Sequence, residues 1–400
     1  MMQITDAQQE NKIWPLFRLG FRVFFLGGAL FSAIAMLLWL LSLVGVNILP
    51  GVTNPIWWHA HEMLFGFALA IVAGFVLTAM QTWTGIPGVK SWPLALVSML
   101  WLLPRLSLPL WGELTTWIIV LDLAWLLLVA GMLAQQVIAV KQWRNLFFVP
   151  LFLLFTLLNA LSYYAASTHD WPLVERSFIA MALALAALIA VMGGRVIPFF
   201  TARATGTPKV EPLIWLEKLS LGSIWLSVAG WLLLPRIDAI NWLLAVLLLV
   251  AGVAHLIRLA RWNSQLTLGT PLLWVLHLGY LFIPIGLVIL AAALLKLGPS
   301  VSLASHWLTA GALGTVVLGM IARVSLGHAG RPLEIGRPVI VAFVLIILAG
   351  LLRSLLPMIS PALTNQAYHS SALAWIVAFG IYCWVYWPIL TKPRIDGRPG

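Results

Sequence analysis

The chain has 400 residues, 62% of them hydrophobic and 9% charged, with a mean hydropathy of +1.02 and a formal net charge of +11. Such a composition excludes a soluble globular domain and places the chain in a lipid bilayer. The single cysteine, Cys383, excludes an internal disulfide, a CxxCH haem attachment and a thiolate-ligated iron-sulfur cluster, so any metal is held by imidazole, carboxylate or thioether.

A polar stretch of about twenty residues opens the chain, and the apolar run after it is longer than a signal peptide's, so it reads as a true span. Runs long enough to cross ~30 Å of hydrocarbon lie at about 22–44, 58–81, 92–110, 114–135, 145–166, 176–199, 213–234, 240–260, 271–294, 301–325, 338–356 and 370–391. The expected fold is therefore an all-α integral membrane bundle of about twelve transmembrane helices. Pro104 and Arg105 interrupt the third run, where a bent or shallow helix is the alternative. Loops are short, and the longest polar stretch, at about 195–212, is too small to fold alone. One membrane domain over 1–400 follows, with short tails at about 1–21 and 392–400.

The second run opens with WWHAHEM at 57–63. Ionisable groups are costly at membrane depth, so His59, His61 and Glu62 are functional candidates by default. On a regular helix His59 stacks over Glu62, Met63 and Gly66, and that face turns into the bundle. His61 lies about 200° away, on the face of Phe65. The two histidines share one centre only if the helix starts irregularly; otherwise they serve two groups. The plainer alternative is a pair of interfacial histidines beside an aromatic belt of Trp57 and Trp58.

On the ninth run His277 sits six residues after Pro271, roughly 9 Å along the axis, and Tyr280 and Pro284 continue its face. Pro284 leaves the Tyr280 carbonyl without its helical donor, so a kinked helix is expected. Tyr280 is read as a proton or electron donor or, equally, as an anchor of the kink. On the tenth run His306 is followed by Ala310, Gly311 and Gly314, a bare stripe that suits a flat macrocycle or tight helix packing alike. Met320, Arg323 and His328 lie near its other end, and Arg323 can pair with a carboxylate by two bonds. His255 reads as a headgroup-level residue, and His169 and His369 as solvated loop residues.

Positive charge tests the topology, because basic loops stay in the cytoplasm. With the amino terminus inside, only Arg105, Arg176, Arg236, Lys296 and Arg353 of the 23 lysines and arginines fall outside. Both termini are thus expected in the cytoplasm, and the net charge is a topology signal that needs no nucleic acid partner. The histidines then form two tiers, an outer one of His59, His61, Glu62 and His306 and an inner one of His277 and His328. Imidazole donors without cysteine favour haem b and an imidazole copper site.

PLFRLGFRVFFLGGALF at 15–31, WWHAHEMLFGF at 57–67, GGRVIPFFT at 193–201, LHLGY at 276–280 and HWLTAGALGTVVLGMIARVSLGHAGRP at 306–332 resemble the NnrS family over nearly the whole chain. That resemblance implies a twelve-helix protein of the bacterial inner membrane that contains haem and copper and acts in denitrification and in resistance to nitric oxide. It carries His59, His61, Glu62, His277, His306, Arg323 and His328 over as the metal or haem neighbourhood. Where family members often show threonine, Ala329 follows His328 here. The adjacent histidine pair of haem-copper oxidases is missing. The leading expectation is a haem protein that binds nitric oxide and helps remove it, by reduction to nitrous oxide, with electrons from a quinol or a redox protein. Glu62 is then the proton donor, since a carboxyl removed from water can hold a proton near neutrality. The alternative is a haem or copper carrier or transporter without redox turnover.

Overall fold

Each expected run forms a helix, because in a medium without water the backbone satisfies its own polar groups only that way. The computed structural model describes residues 10–112 and 114–398, so parts of both expected tails lie outside the described residues. The long helices are α1 (Gly20–Leu43), α2 (Pro55–Thr84), α3 (Ser91–Trp111), α4 (Thr116–Ala139), α5 (Phe148–Ser167), α6 (Trp171–Thr205), α7 (Ile214–Leu233), α8 (Asp238–Ala260), α9 (Pro271–Leu294), α10 (Val301–His328), α11 (Arg337–Ser354) and α12 (Thr364–Thr391). No strand occurs among the described residues. Among the described residues eleven candidate membrane spans satisfy both length and apolarity. α7 has 20 residues but carries Glu217 and Lys218 in its first turns and is not among the eleven. These many apolar helices make a multi-pass membrane protein.

The interruption expected in the third run does not end the helix. Pro104 and Pro109 both lie inside α3, and Arg105 is buried with 3% exposure. Two other helices depart from regular α geometry, each just after a histidine. α2 is α-helical from Pro55 to His61, a π-helix from Glu62 to Ala68 and α-helical again from Leu69. α10 repeats this with an α-helix Val301–His306 and a π-helix Trp307–Leu313. Glycine is the fifth residue of both π segments, Gly66 and Gly311. Single π turns gather at functional sites in helices generally.

The chain divides into two compact units, one of residues 1–178, 321–334 and 379–400, the other of 179–320 and 335–378. In unit 1, α1 packs along α2, and α4 packs against both α3 and α5. The Phe21 amide donates to the Thr78 hydroxyl at 2.8 Å, which joins the start of α1 to α2. Arg22 is fully buried and donates to the Leu390 and Lys392 carbonyls at 2.8 and 2.9 Å, capping the end of α12. In unit 2, α8 packs against α7 and α9, and the π segment of α10 against α9 and α11.

Candidate functional site

Unit 1 contains the WWHAHEM motif. Asn54 starts its helix, accepting from the Ile56 and Trp57 amides at 3.0 Å each, with Pro55 at the first helical position. This fixes Trp57, His59 and His61 within the first two turns. Trp57 and Trp58 are each 1% exposed, so they are core residues of unit 1 and not an interfacial belt.

The two histidines meet different neighbours. His59 stacks on Trp39 with ring centroids 4.6 Å apart. His61 is fully buried between Trp57, at 4.5 Å and nearly parallel, and Tyr163, at 4.9 Å and edge-on. Its Nδ1 lies 3.1 Å from Glu62 Oε1, and its Nε2 lies 2.9 Å from Asn159 Oδ1 and 3.2 Å from Asp122 Oδ2. Glu62 Oε2 pairs with Arg105 Nε at 2.7 Å, and Arg105 Nη2 donates to Asp122 Oδ1. Asp122 Oδ2 accepts from Asn159 Nδ2 and the Tyr163 hydroxyl, both at 3.0 Å. The helix up to His61 is regular, and the π segment after it carries Glu62 beside His61. At Gly66, a Cβ would come within 2.6 Å of Glu62 Oε2 and 2.8 Å of Phe31, so only glycine leaves room for the carboxylate. The Gly66 carbonyl accepts from Trp101 Nε1 at 2.9 Å.

Arg105, Asp122, Asn159 and Tyr163 were not among the sequence candidates. The signal was there for Asp122, an ionisable residue in the middle of TWIIVLDLAWLLL. From the sequence Arg105 is an interruption of the third run and an outer-side charge, because its burial depends on how α3 packs.

Unit 2 holds His277, Tyr280 and His306. His277 lies between two hydroxyls, Thr201 Oγ1 at 2.9 Å from Nε2 and Ser264 Oγ at 2.8 Å from Nδ1. The Thr201 hydroxyl already donates to the Ile197 carbonyl, so Nε2 carries the proton and Ser264 donates to Nδ1. Tyr280 does not bond His277. Its hydroxyl accepts from Arg258 Nη1 and meets His255 Nδ1, both at 2.8 Å. Arg258 grips Glu217 by two bonds of 2.7 and 2.5 Å. His255 is therefore a fully buried partner of Tyr280 and not a headgroup-level residue. A Cβ on Gly194 would fall within the Arg258 guanidinium, which gives the glycine pair of GGRVIPFFT a steric reason.

The bare stripe of α10 is filled by protein, as close packing demands. Phe282 covers Gly311, Trp375 covers Gly314, and Gly350 brings α11 against the Gly311 backbone. His306 Nδ1 donates to the Ser302 carbonyl at 2.6 Å, leaving the lone pair on Nε2. His328 and Arg323 belong to unit 1. The His328 ring lies 5.3 Å from Phe21, its carbonyl accepts from Arg394, and Arg323 is 6% exposed.

The NnrS protein family model matches residues 15–394. The chain belongs to the NnrS family. Membership points to a protein of the nitric oxide response. A comparison with curated proteins finds no match. The haem and copper that the resemblance implies make different demands on these residues. Among the described residues no group of three or more histidine, cysteine, aspartate or glutamate side chains is arranged to hold a metal ion. A haem iron needs only one imidazole lone pair, and the tautomer of His306 fits it. His369 makes the same bond to Asn365, so this bond sets the tautomer without marking a ligand.

Proposed function

We propose that this NnrS protein is a haem b protein of the bacterial inner membrane, with both termini cytoplasmic, that binds nitric oxide and helps remove it by reduction to nitrous oxide. The observation that carries this reading is the family match along 15–394, which takes in both π-helical segments and the histidine that precedes each. His306 is the candidate iron ligand, its Nδ1 donating to the Ser302 carbonyl, which places the ring lone pair on Nε2. When bound, haem supplies the iron that coordinates nitric oxide and passes electrons to it.

Reduction consumes protons as well as electrons, and Glu62 is the residue of unit 1 that handles them. Its Oε1 lies 3.1 Å from His61 Nδ1, while Arg105 pairs with its other oxygen. Glu62 and His61 are 1% and 0% exposed, so water does not compete for that contact. The electrons come from a quinol or a redox protein.

The test is the visible spectrum of the detergent-purified protein, before and after dithionite and then nitric oxide. A Soret band that shifts at both steps is expected, lost in His306→Ala while the variant still elutes as folded protein. Glu62→Gln should keep the band and lose consumption by about a hundredfold. A wild-type protein without a Soret band ends the haem reading. Haem that bleeds off during purification, with no consumption from an electron donor, makes the chain a carrier instead.

A further inference from the structure

His61 is tied down at every ring position. Asn159 uses its amide nitrogen on Asp122, so its oxygen faces His61 Nε2, and Asp122 Oδ2 shares that approach. Nδ1 faces the Glu62 carboxylate. Both nitrogens thus face oxygen acceptors; Glu62 is in turn ion-paired with Arg105, which donates to Asp122. A nitrogen that ligates a metal carries no hydrogen and faces a cation; neither nitrogen of His61 is so placed. Trp57 and Tyr163 against the ring oppose any swivel that would free an edge.

The charges support the same conclusion. Arg105, Glu62 and Asp122 are 3%, 1% and 0% exposed, and alone they leave one negative charge in an apolar bundle. A His61 that donates from both nitrogens makes the group neutral, two cations against two carboxylates, which is what burial at this depth demands.

We propose that His61 is not a metal ligand but, with Arg105 and Asp122, a positioning group that holds the Glu62 carboxylate by both of its oxygens. The proposal rests on reading Glu62 as the proton-handling residue of a nitric oxide-consuming protein. Asp122 acts through His61 by fixing its ring at Nε2. Arg105 acts on Glu62 directly, and its second carboxylate bond keeps the guanidinium from rotating away.

The first measurement needs no variant. Wild-type protein labelled with 15N-histidine is expected to show, among its eight histidines, one whose two ring nitrogens are both protonated, and His61→Gln removes that signal. Absence of any such histidine in the wild type overturns the proposal, even if His61→Gln does not fold. The second measurement is haem and copper per chain, by pyridine haemochrome and elemental analysis. His61→Gln and Asp122→Asn are expected to keep wild-type contents and absorption maxima while kcat for nitric oxide consumption falls by about a hundredfold and KM stays within about twofold. Arg105→Lys should recover more of that rate than Arg105→Gln. Folded His61→Gln protein that loses one equivalent of metal, with Asp122→Asn retaining it, also overturns the proposal. A wild type without haem defeats the haem reading alone, because the nitrogen signal persists.

Discussion

At the scale of single residues, unit 1 turns on four buried ionisable groups whose charges cancel. Removing one partner of a buried pair leaves an uncompensated charge and costs about 3–5 kcal/mol, whereas removing a cation and an anion together costs far less. Arg105→Gln should therefore lower the detergent-solubilised unfolding midpoint strongly, and Arg105→Gln with Asp122→Asn should recover part of that loss. Strictly additive losses in thermal unfolding would show that neutrality is not what the cluster provides. The sequence made Glu62 and His61 visible because they stand in one motif. Arg105 and Asp122 come from separate helices, 17 residues apart, and only packing brings them onto the same carboxylates. The same holds for Tyr280, whose partners His255 and Arg258 lie 25 and 22 residues before it on another helix.

At the scale of elements, hydrophobic run length was enough to place twelve helices, since a span needs only about twenty apolar residues. It did not show that α2 and α10 each contain a seven-residue π segment. EMLFGFA and WLTAGAL are apolar nearly throughout, so they carry no period from which a slipped hydrogen-bond ladder could be recognised. Helix ends were likewise decided by distant side chains. Arg22 on α1 caps the last carbonyls of α12, 368 residues later for Leu390. Arg22→Leu leaves those carbonyls unpaired at a buried helix end, worth about 1–3 kcal/mol. Faster amide exchange and earlier proteolysis confined to the end of α12 and the segment after it are expected. Unchanged exchange there would mean that other donors cap the helix.

At the scale of the whole molecule, the side on which each terminus lies depends on α7. Its Glu217 is neutralised by Arg258, which removes the main electrostatic objection to a crossing by this helix. Of the five basic residues assigned to the outer side, Arg105 is in the buried ion cluster, Arg236 stacks at 3.7 Å over Trp231, and Arg353 stacks at 4.0 Å over Tyr368. Three of the five are thus tied to the protein, as are the buried Arg18, Arg22, Arg258 and Arg323 of the residues assigned to the inner side, so an excess of basic residues on that side remains. Twelve crossings with both ends in the cytoplasm are expected, so reporter fusions at the two termini should report the same side. Opposite sides would remove α7 from the membrane and leave eleven spans.

Composition and run length determined the class, an all-helical membrane protein, and the approximate extent of its helices, because the absence of water imposes helical hydrogen bonding on any apolar run of that length. The motifs determined the family. Tertiary structure alone decided which ionisable groups meet, since the energy of a buried charge depends on partners brought to it from other helices, and neither hydropathy nor spacing records them. It also filled the bare stripe of α10 with Phe282 and Trp375 and committed both nitrogens of His61 to hydrogen bonds.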